Sequence, residues 1–264
     1  MADTLDSSSS APQIPDPTSF VPVTAADVER RRLKLWLGIT AVALIVGLAV
    51  WFIYRRTTDP VLARQAFDAG ARLIKNNRYE QAILNFDRAI ELQSDFSDAY
   101  LLRARAKVAT YRSDTAIPDF NFVIAARPSD AGPLTERAFT YLDLKQWDKT
   151  IEDTSKAIAL NPKLARAYNA RGTAYRMKGD LSSSLADFGQ AVRFDPSLDN
   201  YFQRASTYQL LSRHKEAIAD FDEAIVIAPD QPHLFFARAK SKMAIGDGAS
   251  AKQDIQIGRR MDGW

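Results

Sequence analysis

Residues Ala170 to Phe188 read ARGTAYRMKGDLSSSLADF, with Arg171 and Asp187 sixteen positions apart on either side of a Lys178-Gly179-Asp180 turn. An arginine and an aspartate flanking a turn can belong to an active site, a metal site or a helical hairpin. The flanking segments carry apolar residues at helical spacing, and the glycine sits where the chain would reverse. In an antiparallel hairpin pivoting at Gly179, positions eight before and eight after the turn face each other. Arg171 and Asp187 are those positions.

The pattern extends outward from this stretch at a period of 34 residues. First halves align as AFDAGARLIKNNRYE from Ala66, YLLRARAKVATYRSD from Tyr100, LTERAFTYLDLKQWD from Leu134, YNARGTAYRMKGD from Tyr168, YFQRASTYQLLSRH from Tyr201 and FFARAKSKMAIGD from Phe235. Second halves end at Pro128, Pro162, Pro196 and Pro229. The arginine column holds Arg103, Arg137, Arg171, Arg204 and Arg238; the aspartate column holds Asp119, Asp153, Asp187, Asp220 and Asp254. Each pair is sixteen apart, and the first repeat loses both partners together, to Ala69 and Asn85. Catalysis needs one constellation beside one cleft. Five copies read instead as structural ion pairs that set hairpin register and lie within each repeat.

These columns resemble the tetratricopeptide repeat (TPR) family. Its small residue falls on Gly70, Ala104, Ala138, Gly172, Ala205 and Ala239, and its aromatic on Tyr141, Tyr175 and Tyr208, with Leu73, Lys107 and Lys242 as departures. Its second-helix alanine falls on Ala82, Ala116, Ala217 and Ala251. Its large apolar residue falls on Phe86, Phe120, Phe188, Phe221 and Ile255, with Thr154 departing. Six repeats follow, at 63–96, 97–130, 131–164, 165–197, 198–231 and 232–264. The expected fold class is all-α: a TPR-type α-solenoid of six helical hairpins. One hairpin cannot bury both its faces, so neighbours must stack, and the last must present a polar outer face. Lys252, Gln253, Gln256 and Arg259 supply that face. Pro118 is expected near the first turn of its helix, where a missing N–H costs less.

Upstream of the repeats, residues 1–29 are rich in Ser, Pro and Asp without periodicity, which predicts a disordered tail. Residues 30–56 read as a transmembrane anchor with basic flanks. Leu35 to Tyr54 is an uncharged run of twenty residues, about 30 Å as a helix and enough to span a bilayer core. Trp36, Trp51 and Tyr54 lie near its ends, where amphipathic rings favour the interface. A cleaved signal peptide would have a shorter apolar region and a small-residue cleavage site; this run ends AVWFIYRR. Four basic residues upstream (Arg30, Arg31, Arg32, Lys34) against three downstream (Arg55, Arg56, Arg64) favour a cytoplasmic N-terminus and an external C-terminal domain.

Composition excludes several function classes. The chain has no cysteine, so disulfides, thiolate zinc sites and cysteine nucleophiles are ruled out. Residues 1–56 hold six of the 35 Lys+Arg and five of the 32 Asp+Glu, leaving 29 against 27 for the repeats. That near-neutral balance argues against nucleic acid as a partner. No nucleophile elbow, phosphate loop, zinc-protease helix motif or calcium loop is present, and His214 and His233 read as solvated side chains. The expectation is a protein that is not an enzyme, with no cofactor, metal or small-molecule substrate.

The resemblance implies that the first helix of each repeat lines a concave wall that binds protein or peptide partners. Its positions facing away from the core would be Leu101, Arg105, Thr135, Phe139, Asn169, Thr173, Arg176, Phe202, Gln209, Phe236 and Lys240. Their aromatic, amide and cationic mixture suits an extended peptide carrying an acidic residue or a free carboxyl terminus. Some co-chaperone members grip a C-terminal carboxylate through an asparagine column. Here that column holds Leu102, Glu136, Ala170, Gln203 and Ala237, so that clamp is absent. The layout is similar to bacterial inner-membrane proteins with a periplasmic TPR solenoid. A cytoplasm-facing anchored receptor and a self-assembling structural spacer are the alternatives.

Overall fold

The structure, a computed structural model, describes residues 24–263, the side chains of residues 53–58 excepted. It divides into two compact units, Met1–Thr58 and Asp59–Trp264. The tail up to residue 23 lies outside the described residues.

The first helix, α1, runs Ala25–Lys75 and crosses the boundary between the units, with Pro60 inside it. It starts earlier than the basic flank alone suggests, within the segment expected to be disordered. Capping is the reason: the Thr24 hydroxyl donates to Asp27 Oδ2 at 2.7 Å, and the Asp27 N–H donates back to Thr24 Oγ1 at 3.3 Å. In the first unit every residue from Thr24 to Phe52 is exposed, including Leu35, Trp36, Ile45 and Phe52. Ala25–Phe52 is long and apolar enough to cross a membrane.

The second unit opens with the end of α1, from Asp59, and continues through α2 (Tyr79–Leu92), α3 (Ser97–Ala109), α4 (Ser113–Ala126), α5 (Ala131–Asp143), α6 (Trp147–Leu160), α7 (Ala165–Met177), α8 (Leu181–Phe194), α9 (Leu198–Leu210), α10 (His214–Ile227), α11 (Pro232–Ala244) and α12 (Gly248–Met261). These make six hairpins, each an A helix followed by a B helix, and every helix from α2 onward packs on its successor. The A helices α5, α7 and α9 also touch one another directly, which places them on the inner side of the curve.

Inside each hairpin a large side chain on the B helix meets a small one on the A helix. Phe86, Phe120, Phe188 and Phe221 are fully buried. A Cβ added at Gly70 would lie 2.7 Å from the Phe86 ring, and one at Gly172 would lie 3.1 Å from Phe188. Burial of one such ring stabilises by up to about 3 kcal/mol. The third hairpin has no phenylalanine in this column. Thr154 is buried there and donates to the Thr150 carbonyl at 2.6 Å, while Thr150 donates to the Ala138 carbonyl at 3.3 Å. Apolar cohesion at that level comes from Ala131, Leu134, Ala157 and Ala167 instead.

Each A-to-B turn places one residue in the left-handed region, but glycine fills it only at Gly179 and Gly246. Asn77, Tyr111, Lys145 and Ser212 adopt φ of 56–59° in the others. The following N–H closes the turn each time, as when Asp180 donates to the Tyr175 carbonyl at 3.0 Å. Pro118 sits one turn deeper than expected, as the sixth residue of α4, and the helix runs through it. The carbonyl its missing N–H would have met belongs to Asp114, exposed in the first turn where water can reach it.

Phe188→Ala should lower the stability of the full chain by about 3–5 kcal/mol through transfer and cavity costs. Thermal melting in detergent, followed by helical circular dichroism, reads this as a clear fall in Tm. An unchanged Tm would mean that the fourth hairpin does not rest on that ring.

Candidate functional site

The arginine column forms a ladder through the second unit. Arg171 Nε and Nη2 donate to the two carboxylate oxygens of Asp187, both at 2.8 Å. Arg137 meets Asp153 at 2.7 and 2.7 Å, Arg204 meets Asp220 at 2.8 and 2.7 Å, and Arg238 meets Asp254 at 2.9 and 2.7 Å. Arg103 engages Asp119 in the same way. Side-chain exposure is 3–8% for these aspartates and 15–22% for the arginines. Side-by-side guanidinium and carboxylate forks give two charge-assisted bonds with fixed geometry.

The ladder is not confined to each repeat, which corrects the sequence expectation. The remaining guanidinium nitrogen, Nη1, reaches back to the B helix of the preceding hairpin: Arg103 to Asp87 at 2.7 Å, Arg171 to Ser155 at 3.2 Å, Arg238 to Asp222 at 2.6 Å, and Arg137 to Asn121. The signal was present as a column two positions after the aspartate column, short and polar at Asp87, Asn121, Ser155 and Asp222. Its fourth member is Gly189, which has no side chain to offer Arg204. The two lysines that break the aromatic column are also explained. Lys107 donates to Asp119 at 2.8 Å and Lys242 to Asp254 at 2.9 Å, adding a second cation to each buried carboxylate. Desolvation pushes the Asp254 carboxyl up, yet Arg238 and Lys242 together hold it below its ordinary value.

The wall residues divide into those already engaged and those still open. Thr135 is buried and donates to the Ala131 carbonyl at 2.8 Å, so it is part of the core rather than the wall. Its hydroxyl found a backbone acceptor one turn back, as Thr173 does with the Asn169 carbonyl at 2.9 Å. Arg105 is locked onto Glu136 by bonds of 2.7 and 2.6 Å, Asn169 donates to Asn200 at 2.7 Å, and Gln209 donates to the Ala237 carbonyl and Ser241 at 2.8 and 2.7 Å. Phe236 lies against Gly258. These contacts tie successive A helices together, or an A helix to its own B helix.

Open groups gather in grooves between A helices. One groove of about 260 Å³ is lined by Arg105, Val108, Glu136, Phe139, Asp143 and Arg166; Arg166 lies 5.2 Å from the centre of the Phe139 ring. Leu101 sits nearby, packed on the second-hairpin core. A second, of about 450 Å³, is lined by Arg176, Phe202, Gln203, Leu210 and Lys240 among others. Phe202 meets Phe221 edge-on at 5.9 Å and His233 at 5.5 Å. His233 is exposed, whereas His214 is half-buried with Nδ1 enclosed and unbonded, against the expectation that it is solvated. Sequence reasoning missed Arg166, Glu136 and Gln203. Glu136 and Gln203 stand one position after a chosen wall residue and Arg166 three before Asn169, and only the packing of successive A helices brings them to the wall.

Comparison with known proteins places this geometry. The tetratricopeptide repeat family model matches residues 165–198 and 198–231. Human tetratricopeptide repeat protein 28 is 34% identical over 82 residues, which is 31% of this chain and 3% of that protein. Among solved structures, PilW, a widely conserved type IV pilus biogenesis factor, superposes with a TM-score of 0.67 at 17% identity, covering 75% of this chain and 92% of its own. YrrB, a TPR protein with an unusual peptide-binding site, gives 0.54 at 22% identity over 66% of this chain and 90% of its own. Residues 165–231 therefore match tetratricopeptide repeats, within an all-helical solenoid of the TPR type. Tetratricopeptide repeat proteins generally mediate protein–protein interactions, and solenoids of this kind present extended concave binding surfaces.

Two outcomes test the ladder. Arg171→Ala and Asp187→Ala should each destabilise the chain by about 3–5 kcal/mol, because each leaves a buried charge unpaired. The double variant should lose less than the sum, as measured by denaturant melts of all four proteins; strict additivity would show that the two side chains do not interact. The second concerns pH. A carboxyl depressed in the folded state adds stability that is complete above its ordinary value of 3.8 and is lost as pH falls through its lower folded value. Amide exchange in α12 should therefore accelerate as pH drops below 3.8, after correction for intrinsic rates, and Asp254→Asn should flatten that dependence.

Proposed function

We propose that this chain is a non-enzymatic, membrane-anchored TPR scaffold that holds an extended segment of a protein partner along its concave wall. The observation that carries the reading is the set of open grooves on the A-helix side, where Phe139, Arg166, Phe202 and Lys240 remain available after the inter-helix bonds are made and Arg176 meets only a neutral amide. Half-buried aromatic groups beside cationic ones, facing one concavity, suit peptide recognition. The peptide-binding site in YrrB's description supports the same use of the fold.

The apolar stretch of α1 is the anchor in this reading. Its side chains from Leu35 to Phe52 are exposed, and such a surface is costly in water but at home in lipid. The heavier basic cluster before it keeps the N-terminus in the cytoplasm and puts the six repeats outside, in the periplasm of a bacterium. Pilus biogenesis, the role in PilW's description, fits a scaffold in that compartment.

The test combines topology with capture. A periplasmic-type reporter fused after Trp264 should be active only outside the cytoplasm; cytoplasmic activity would reverse the orientation. A photo-crosslinking residue at Ser206, in the groove lining, should capture a defined protein in the native membrane. Phe202→Ala should reduce that capture at a temperature where circular dichroism shows the variant still folded, with a lowered Tm from its lost packing on Phe221. The same probe at Leu84, exposed on a B helix, should capture none of it. Equal capture from both positions would overturn the concave wall as the binding face.

A further inference from the structure

Within the wall, the groove between α7, α9 and α11 differs from its neighbour in one physical respect: its lining contains two cations and no acid. Arg176 comes from α7 and Lys240 from α11, with Phe202, Gln203, Ser206, Gln209 and Leu210 of α9 between them. In the other groove, Glu136 already answers Arg105 with two bonds, and Asp143 adds a further negative charge.

Arg176 differs from the ladder arginines and Arg105 in meeting no carboxylate among the described residues, and from the likewise unpaired Arg166 in being half-buried rather than exposed. Arg103, Arg105, Arg137, Arg171, Arg204 and Arg238 each meet a carboxylate. Arg176 donates only to the neutral Gln203 Oε1, at 2.6 Å, and lies over the Phe188 ring at 5.4 Å. Burial, with no acid to offset it, pulls its guanidinium below the ordinary value. A charge held partly out of water beside an amide carries a desolvation cost that an incoming carboxylate removes. Lys240 is exposed and forms no ion pair among the described residues.

Resting on the concave-wall reading above, we propose that this groove is a subsite for an internal acidic side chain of an extended peptide. The carboxylate sits between Arg176 and Lys240, and an adjacent apolar side chain lies on Phe202 and Leu210. Charge complementarity selects the acid, and the apolar floor selects its neighbour. The acid is internal rather than terminal because the asparagine column that grips a chain end in some TPR proteins is broken here: Ala170 and Ala237 carry no amide, and Gln203 is held by Arg176 through its Oε1. The Gln209 amide N–H groups go to the Ala237 carbonyl and Ser241.

The experiment is a selection of amidated nonapeptides with a fixed central Phe and random flanks against the full chain in nanodiscs. A parallel library carries a free carboxyl terminus. Asp or Glu should be enriched within two positions of the Phe, equally in both libraries, and bound peptides should weaken about tenfold with Arg176→Gln or Lys240→Gln, the loss of one charge-assisted bond. Lys240→Glu should shift enrichment towards Lys or Arg. Selected peptides without acid enrichment, or acidic peptides that bind both neutralised variants as tightly as the parent, would overturn the subsite. Enrichment confined to the free-terminus library would replace the internal acid with a chain end and overturn it too. Failure of the wider reading looks different: the chain would select no peptides, or selected peptides would be unaffected by Phe202→Ala.

Discussion

A guanidinium group offers three nitrogens in one plane at fixed angles, and this solenoid assigns a partner to each. Two close on the aspartate of the same hairpin, and the third crosses to the hairpin before it, as Arg238 does to Asp254 and Asp222. Because the group is planar and rigid, it fixes the facing of A on B and the seating of one hairpin on the next at the same time. Breaking a buried pair is costly, yet such a pair adds little over a well-packed apolar substitute. The junction where the third bond is missing, at Arg204 and Gly189, is also where the period shortens from Pro196 to Pro229, by 33 rather than 34 residues.

Packing around the ladder follows from the same economy of positions. Where the A helix carries Tyr141, the ring lies beside Arg137, at 5.8 Å from its guanidinium carbon. Where it carries Lys107 or Lys242, an ammonium joins the arginine on the carboxylate instead. Both choices leave the aspartate buried, one by covering its partner with an aromatic face and the other by adding charge. The third hairpin departs furthest, with Thr150 and Thr154 in place of an alanine and a phenylalanine. It stays satisfied because both hydroxyls return to helix carbonyls.

The wall then emerges as what the scaffold leaves over. Most polar side chains along the A helices are consumed in holding neighbours together, so the groups free to meet a partner are few and concentrated towards α7, α9 and α11. The proposed recognition surface is specified by subtraction: among the described residues, an arginine without an acid, a lysine without an ion pair, and a phenylalanine only partly covered. Its position on the inner side of the curve lets one extended segment reach several hairpins together.

The sequence alone determined the repeat, its hairpins, the arginine–aspartate pairs and the apolar helix. All of these depend on spacing within one repeat or one uninterrupted run. Two residues eight positions either side of a fixed turn must meet, whatever the rest of the chain does. Only the tertiary structure decided which wall residues are open, because their partners come from the next A helix: Glu136 for Arg105, Asn200 for Asn169, Gln203 for Arg176 and Ser241 for Gln209. Those separations vary from 27 to 32 residues, with no fixed column. They are set by the angle at which hairpins stack, and that angle is a property of the packed interface rather than of any single repeat's sequence.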